Sequence, residues 1–146
     1  MKMSNSPLRE TRLSLVEEHC QAENNHDLKA IMATFGDNPF FGLNELEISG
    51  REIVEGLYAG FGFADQGSFS NLRVEIRERH VSDESVILEI VITGKHTGVW
   101  NGIAATHREI SVPACAVFTF DDTERLAGEK VYVDFSIVLR QLGVIA

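Results

Sequence analysis

Glu89 stands alone as a carboxylate within the apolar run Val86-Ile87-Leu88-Glu89-Ile90-Val91-Ile92. Buried there without a partner, a carboxyl group holds its proton more tightly than in water and can serve as a general base. On a sheet face that meets a second subunit, it would instead sit beside an arginine of that seam. Asp134 directly precedes Phe135-Ser136-Ile137-Val138-Leu139-Arg140, where a helix N-cap belongs; such a side chain accepts a backbone N–H of the first turn. His19, Glu23 and His26 are four and three residues apart, so on one helix they would share a face at metal-ligand spacing. Asn24-Asn25 reads as the end of that helix, which leaves His26 off the face, so a solvated helix end is expected and no metal site. His80 and His107 read as solvated turn residues. Gly56, Gly60 and Gly62 fall in or after a helix, so no phosphate loop follows a strand, and no serine sits in a nucleophile elbow.

The elements that must position these residues follow from periodicity. Leu8 to about Asn24 reads as a helix with Leu13, Val16 and Cys20 on one buried stripe and Leu15 beside it. Asp27 can cap a second helix carrying Leu28, Ile31, Met32 and Phe35, which Gly36-Asp37-Asn38-Pro39 stops. Phe40–Leu43 and Leu46–Ile48 read as short strands around Gly42 and Asn44, and Ser49-Gly50-Arg51-Glu52 opens a third helix. From Ser68 the period becomes two: Leu72, Val74 and Ile76 alternate with Arg73, Glu75 and Arg77, a strand with one wet face. Val86–Ile92, Val112–Phe120 and Val131–Phe135 are apolar on both faces, with Asp121-Asp122-Thr123 turning between the last two. Strands covered on both faces need two layers, and the helices can supply one. A homodimer packed through the sheet is the expected second layer.

At 146 residues and 44% apolar composition, one domain spanning residues 1–146 is expected, with residues 1–7 disordered. The net charge of −9 argues against nucleic acid, because Arg73, Arg77 and Arg79 are interleaved with Glu75 and Glu78. The apolar runs are too short to span a bilayer, and the first seven residues have no apolar core of a secretory signal. Cys20 and Cys115 lack CxxC spacing and read as free thiols of a reducing compartment. A cytoplasmic location without membrane contact is expected. The aromatic residues Phe35, Phe40, Phe41, Tyr58, Phe61, Phe63, Trp100, Phe118 and Tyr132 suit a pocket for a flat or fused-ring hydrophobic ligand.

Two segments carry a resemblance. His96-Thr97-Gly98-Val99-Trp100-Asn101-Gly102 is followed by Ala104, Ala105, Thr106 and His107, and the chain ends in Val131-Tyr132-Val133-Asp134 running into Gln141-Leu142-Gly143. Together they resemble the SnoaL-like polyketide cyclase family, with Ala104 and Ala105 in place of two prolines. The resemblance implies an α+β fold of the nuclear-transport-factor-2-like type, a curved antiparallel sheet wrapped around helices as a cone with an internal apolar cavity. It also implies acid–base chemistry without a cofactor, on a hydrophobic carbonyl compound. In the cyclases an Asp of the final strand moves the proton; counting back from Gln141-Leu142-Gly143 places Val131 there, and Ala116 at the helper histidine. His96, at the cavity mouth, Glu89 and Asp134 are then the candidate catalytic groups. Phe41, Tyr58, Trp100, Ala116, Phe118, Val131 and Val133 are the candidate ligand contacts. A hydrophobic-ligand-binding module without catalysis, or a dimeric scaffold, remains open on the same fold.

Overall fold

The computed structural model describes residues 6–146. The chain opens with helix α1 (Ser6–Asn24), whose buried stripe runs through Val16, His19, Cys20 and Glu23. Three of these four are titratable, which is unusual for the buried stripe of a helix. The expected disordered tail lies outside the described residues as far as residue 5, and Ser6 and Pro7 form the first turn of α1. Asp27 caps the short helix α2 (Leu28–Ala33) by accepting the Ala30 N–H at 3.0 Å.

Strand β1 (Phe35–Leu43) begins directly after α2 and includes the Gly36–Pro39 stretch expected to be only a helix stop. Its pairing with the last strand shifts between Phe35 and Phe40, and this irregularity accommodates the Gly-Asp-Asn-Pro sequence within a strand. β2 (Leu46–Ser49) returns antiparallel to β1. Helix α3 (Arg51–Phe61) follows; Arg51 donates to the carbonyls of Met32 (2.6 Å) and Gly36 (2.9 Å), which fixes α3 against the end of α2.

Four long strands complete the sheet: β3 (Phe69–Val81), β4 (Ser85–His96), β5 (Glu109–Phe120) and β6 (Leu126–Val133), before the terminal helix α4 (Phe135–Gln141). The spatial order is β2-β1-β6-β5-β4-β3, so the sheet is unclosed and ends at β2 and β3. Every junction is antiparallel except β1 with β6, which run parallel. The expected all-antiparallel sheet is therefore mixed, because the first strand enters beside the last instead of starting the meander. α1 packs on β3 and β4, α3 on β1 and β2, and α4 on β5.

Alternation along the long strands sorts two faces. Leu88, Ile90, Val112, Ala116, Phe118 and Val131 are buried toward the helices. Ile87, Val91, Cys115 and Val117 are half-buried on the outer face, beside exposed Tyr132. Two of the three arginines of β3 are met by acids: Arg79 pairs with Glu17 at 2.6 Å and Arg77 with Glu75 at 3.0 Å. Among the described residues no helix is long and apolar enough to cross a membrane.

Candidate functional site

Between the inner sheet face and the helices lies an apolar hollow, part of it open to solvent. Phe41, Phe61, Phe63, Phe69, Trp100, Ile90, Val112 and Val138 contribute to its wall. Leu43, Leu57, Phe61, Trp100 and Phe135 also line a shallower surface groove that continues past Asn44, Glu45 and Asn101. Among the described residues Glu23, Tyr58 and Glu129 are the ionisable side chains in its wall, and no Lys or Arg joins them.

These three residues form one cluster with His19. The helical spacing of four puts His19 and Glu23 on the same face of α1. Tyr58 comes from the buried side of α3 and Glu129 from the inward face of β6. The Tyr58 hydroxyl donates to Glu129 Oε1. His19 Nε2 lies 3.3 Å from Glu129 Oε1, 3.5 Å from Glu23 Oε2 and 3.2 Å from the Tyr58 oxygen. The rings of Phe35, Tyr58 and Phe118 meet the imidazole edge-on at 5.4–5.7 Å and shut out water.

The hydrogen bonds settle the protonation of His19. Thr34 Oγ1 donates to the Ile31 carbonyl at 2.6 Å, so at 2.8 Å from His19 Nδ1 it must accept. Nδ1 therefore carries a hydrogen, and Nε2 faces carboxylate oxygens that call for a second. Burial alone would lower the pKa of this imidazole, but the Glu23 charge and the bonds to Glu129 and Glu23 outweigh it and raise the value to about 10. Burial, together with the Glu129 charge, raises Glu23, while His19 opposes that shift. Burial and the two glutamates likewise push the Tyr58 hydroxyl and the nearby Cys20 thiol well up. The ligand-type atoms of His19, Glu23 and Glu129 lie within 4.8 Å of one another, close enough for one cation.

The residues singled out from the sequence fall in several places. Phe41, Tyr58, Trp100, Val131 and Val133 line the hollow. Ala116 and Phe118 are buried outside its wall, Phe118 being packed behind His19. Glu89 lies on the outer face, more than half exposed, and pairs with His80 at 2.7 Å; it is neither buried nor beside the hollow. Strand alternation around Leu88 and Ile90 turns it outward, and His80, expected as a free turn residue, is its partner across the β3–β4 pair. Asp134 is exposed and caps α4 through the Ser136 N–H (2.9 Å) and hydroxyl (2.7 Å). His96 is fully buried and stacks on Phe69; its Nδ1 accepts the Thr106 N–H at 3.1 Å, which leaves a hydrogen on Nε2. That Nε2 has no hydrogen-bond partner among the described residues. His26 faces the Leu72 carbonyl (2.7 Å) and takes no part in the grouping of His19 and Glu23, which is buried and not a solvated helix end.

Sequence reasoning missed Glu129 and the burial of His19 and Glu23. The signal was present in part: from Val16, steps of three and four along the apolar stripe reach His19, Cys20 and Glu23. Glu129 lies two residues before Val131, on the same face of β6.

Likeness to known proteins agrees with this architecture. At 17% identity, a SnoaL-like protein of Jannaschia sp. CCS1 superposes with a TM-score of 0.85 over 97% of both chains. TsrD of Streptomyces laurentii does so at 20% identity and 0.80, over 94% of this chain and 98% of its own. An epoxide hydrolase of the LEH-like type from M. tuberculosis matches at 20% and 0.72, over 93% and 92%. Comparison with curated protein sequences finds no match. At these identities the structures testify to the fold alone, but a model of the SnoaL-like polyketide cyclases matches residues 21–142, from the end of α1 to the end of α4. The chain that builds this hollow thus belongs to the SnoaL-like polyketide cyclase family.

Proposed function

We propose that this protein is a cofactor-independent acid–base enzyme, of cyclase or isomerase type, acting on an uncharged hydrophobic carbonyl compound. The observation that carries the reading is the placement of Glu23, Tyr58 and Glu129, backed by His19, in the wall of an otherwise apolar hollow. Ionisable groups removed from water are costly, and apolar residues of similar volume often stabilise a core as well or better. A buried acid–base set facing a ligand-sized space is what proton transfer at carbon needs. A carboxylate takes a proton from the carbon beside the carbonyl, and the C–H electron pair moves into an enolate. Return of the proton to another carbon gives an isomer. Attack of the enolate carbon on a second carbonyl, with the proton passed to the new alkoxide, gives a ring.

The wall supplies no positive side chain to an anionic ligand, so the substrate is neutral. On this reading the carboxylate function missing at Val131 is held by the cluster. Val131 and Ala116 alone favour the competing reading, a module that binds without turnover. The free thiols of Cys20 and Cys115 fit a reducing cytoplasm.

The test is deuterium exchange. Neutral bicyclic ketones incubated with the protein in D₂O should gain deuterium beside the carbonyl faster than in buffer, as followed by NMR. The Glu23→Gln/Glu129→Gln double variant should lose that acceleration. Saturable binding of the ketones with no exchange above buffer would establish the binding module instead.

A further inference from the structure

We infer that Glu23 is the group that exchanges a proton with the substrate, and that Glu129 is a positioning residue held in place by Tyr58 and His19. This rests on the acid–base reading above and divides the labour within it. Both glutamates are in the wall of the hollow, but their surroundings differ. Glu129 Oε1 accepts the Tyr58 hydroxyl and has His19 Nε2 3.3 Å away. A carboxylate so engaged is a weak proton acceptor, because each donor stabilises the charge that protonation would remove. Glu23 has one polar contact among the described residues, His19 Nε2 at 3.5 Å, well beyond the 2.7–2.9 Å or so of a charge-assisted bond. Hydroxyl and backbone donors do not reach it. Its carboxyl group is free to meet a ligand.

The position of Glu23 on α1 completes the argument. One helical turn behind it, His19 is pinned by Thr34 through Nδ1, so Nε2 faces both carboxylates from a fixed point. When Glu23 takes the proton of a substrate C–H bond it becomes neutral, and the imidazolium hydrogen turns fully toward Glu129. When Glu23 gives the proton back, its charge is met again by the same imidazolium. His19 keeps both hydrogens throughout, so the step balances as one proton moving between carbon and the Glu23 oxygen. Burial, which favours the neutral carboxyl, brings the affinity of Glu23 for that proton toward what reversible transfer requires.

Two measurements test this, one without any substrate. The infrared carbonyl band of a protonated carboxyl group should be present in the wild-type protein in mildly acid solution, persist in Glu129→Gln and vanish in Glu23→Gln. In the deuterium-exchange assay with a bicyclic ketone, Glu23→Gln should slow exchange on the order of a hundredfold or more while ketone affinity holds within about threefold. Glu129→Gln should keep measurable exchange with a displaced pH midpoint, a change that loss of packing alone would not produce. Glu23→Asp should recover part of the rate. A band that is absent, or that follows Glu129, overturns the assignment, as does exchange that survives Glu23→Gln and dies in Glu129→Gln. Absence of exchange in the wild type would count against the acid–base reading itself, while the infrared result would still locate the proton.

Discussion

His19 carries two hydrogens on its ring because each nitrogen faces an acceptor, Thr34 Oγ1 at Nδ1 and the Glu129 and Glu23 carboxylates at Nε2. Thr34 spends its own hydrogen on the Ile31 carbonyl, and the ionised carboxylates at Nε2 accept the second. A fully buried imidazolium has consequences for stability. Its folded pKa of about 10 exceeds the unfolded value near 6.5, so between those limits the folded chain holds a proton that the unfolded chain releases. The stabilisation is thus complete below about pH 6.5 and lost as pH rises toward about 10. Glu23, shifted upward by burial, acts in the same direction from its own ordinary range upward. Cys20 and Tyr58, both raised, extend the decline at the alkaline end. Urea unfolding at a series of pH values should therefore show stability falling from pH 6.5 to pH 9, by up to about 1.4 kcal/mol per pH unit for one proton. His19→Gln should flatten the slope. Stability that is level or rising across that interval would show that the imidazole is neutral in the folded protein.

At the scale of elements, β6 decides which chemistry faces the hollow. Glu129, Val131 and Val133 alternate onto its inner face, about 7 Å separating each from the next, while Lys130 and Tyr132 turn outward. A carboxylate at 129 and one at 131 thus address the same space from neighbouring rungs. Val131→Asp should put a second acid beside Glu129 in an apolar wall, where burial and the like charge both favour its neutral form. Denaturation of that variant should show little loss of stability in acid and a growing loss above neutrality; an NMR titration giving position 131 an ordinary aspartate value would mean that this rung is wet.

The alternation that makes this prediction possible was legible in the sequence, as were α1, the Asp27 and Asp134 caps, the antiparallel run from β3 to β6 and the family. What could not be read locally depends on distance along the chain. His19 and Glu23 looked like a solvated helix end because the groups that make their burial tolerable, Tyr58 and Glu129, lie at least 35 and 106 residues away. Glu129 lies before Val131–Phe135, the stretch read as the last strand, and so drew no reading at all. Gly36-Asp37-Asn38-Pro39 read as a stop because only β6, at the other end of the chain, makes it a strand.

At the scale of the whole molecule, the sheet has one face covered by helices and one that is not. Ile87, Val91, Cys115 and Val117 line the centre of the uncovered face, and Tyr132 stands half exposed among them. Charged groups are confined to pairs or margins: His80 with Glu89, Arg77 with Glu75, and Lys130 near β1. A monomer gains nothing from β-branched side chains on β4 and β5 pointing into water, and an apolar face of this kind, crossed by the Glu89–His80 pair, is what subunits bury. We propose that two copies of the chain pack these faces together about a two-fold axis, so that each β4 and β5 meets the other's. An obligate interface of that type should bury on the order of 2,000 Å² or more in total. Sedimentation velocity at micromolar concentration should give a dimer, and Val91→Arg combined with Tyr132→Glu should give a folded monomer, since four charges would be forced into the seam without water. A wild-type protein that sediments as a stable monomer at that concentration would leave the outer face as simple exposed surface. The cluster beneath the inner face would be unaffected by that result, because all four of its residues come from one chain.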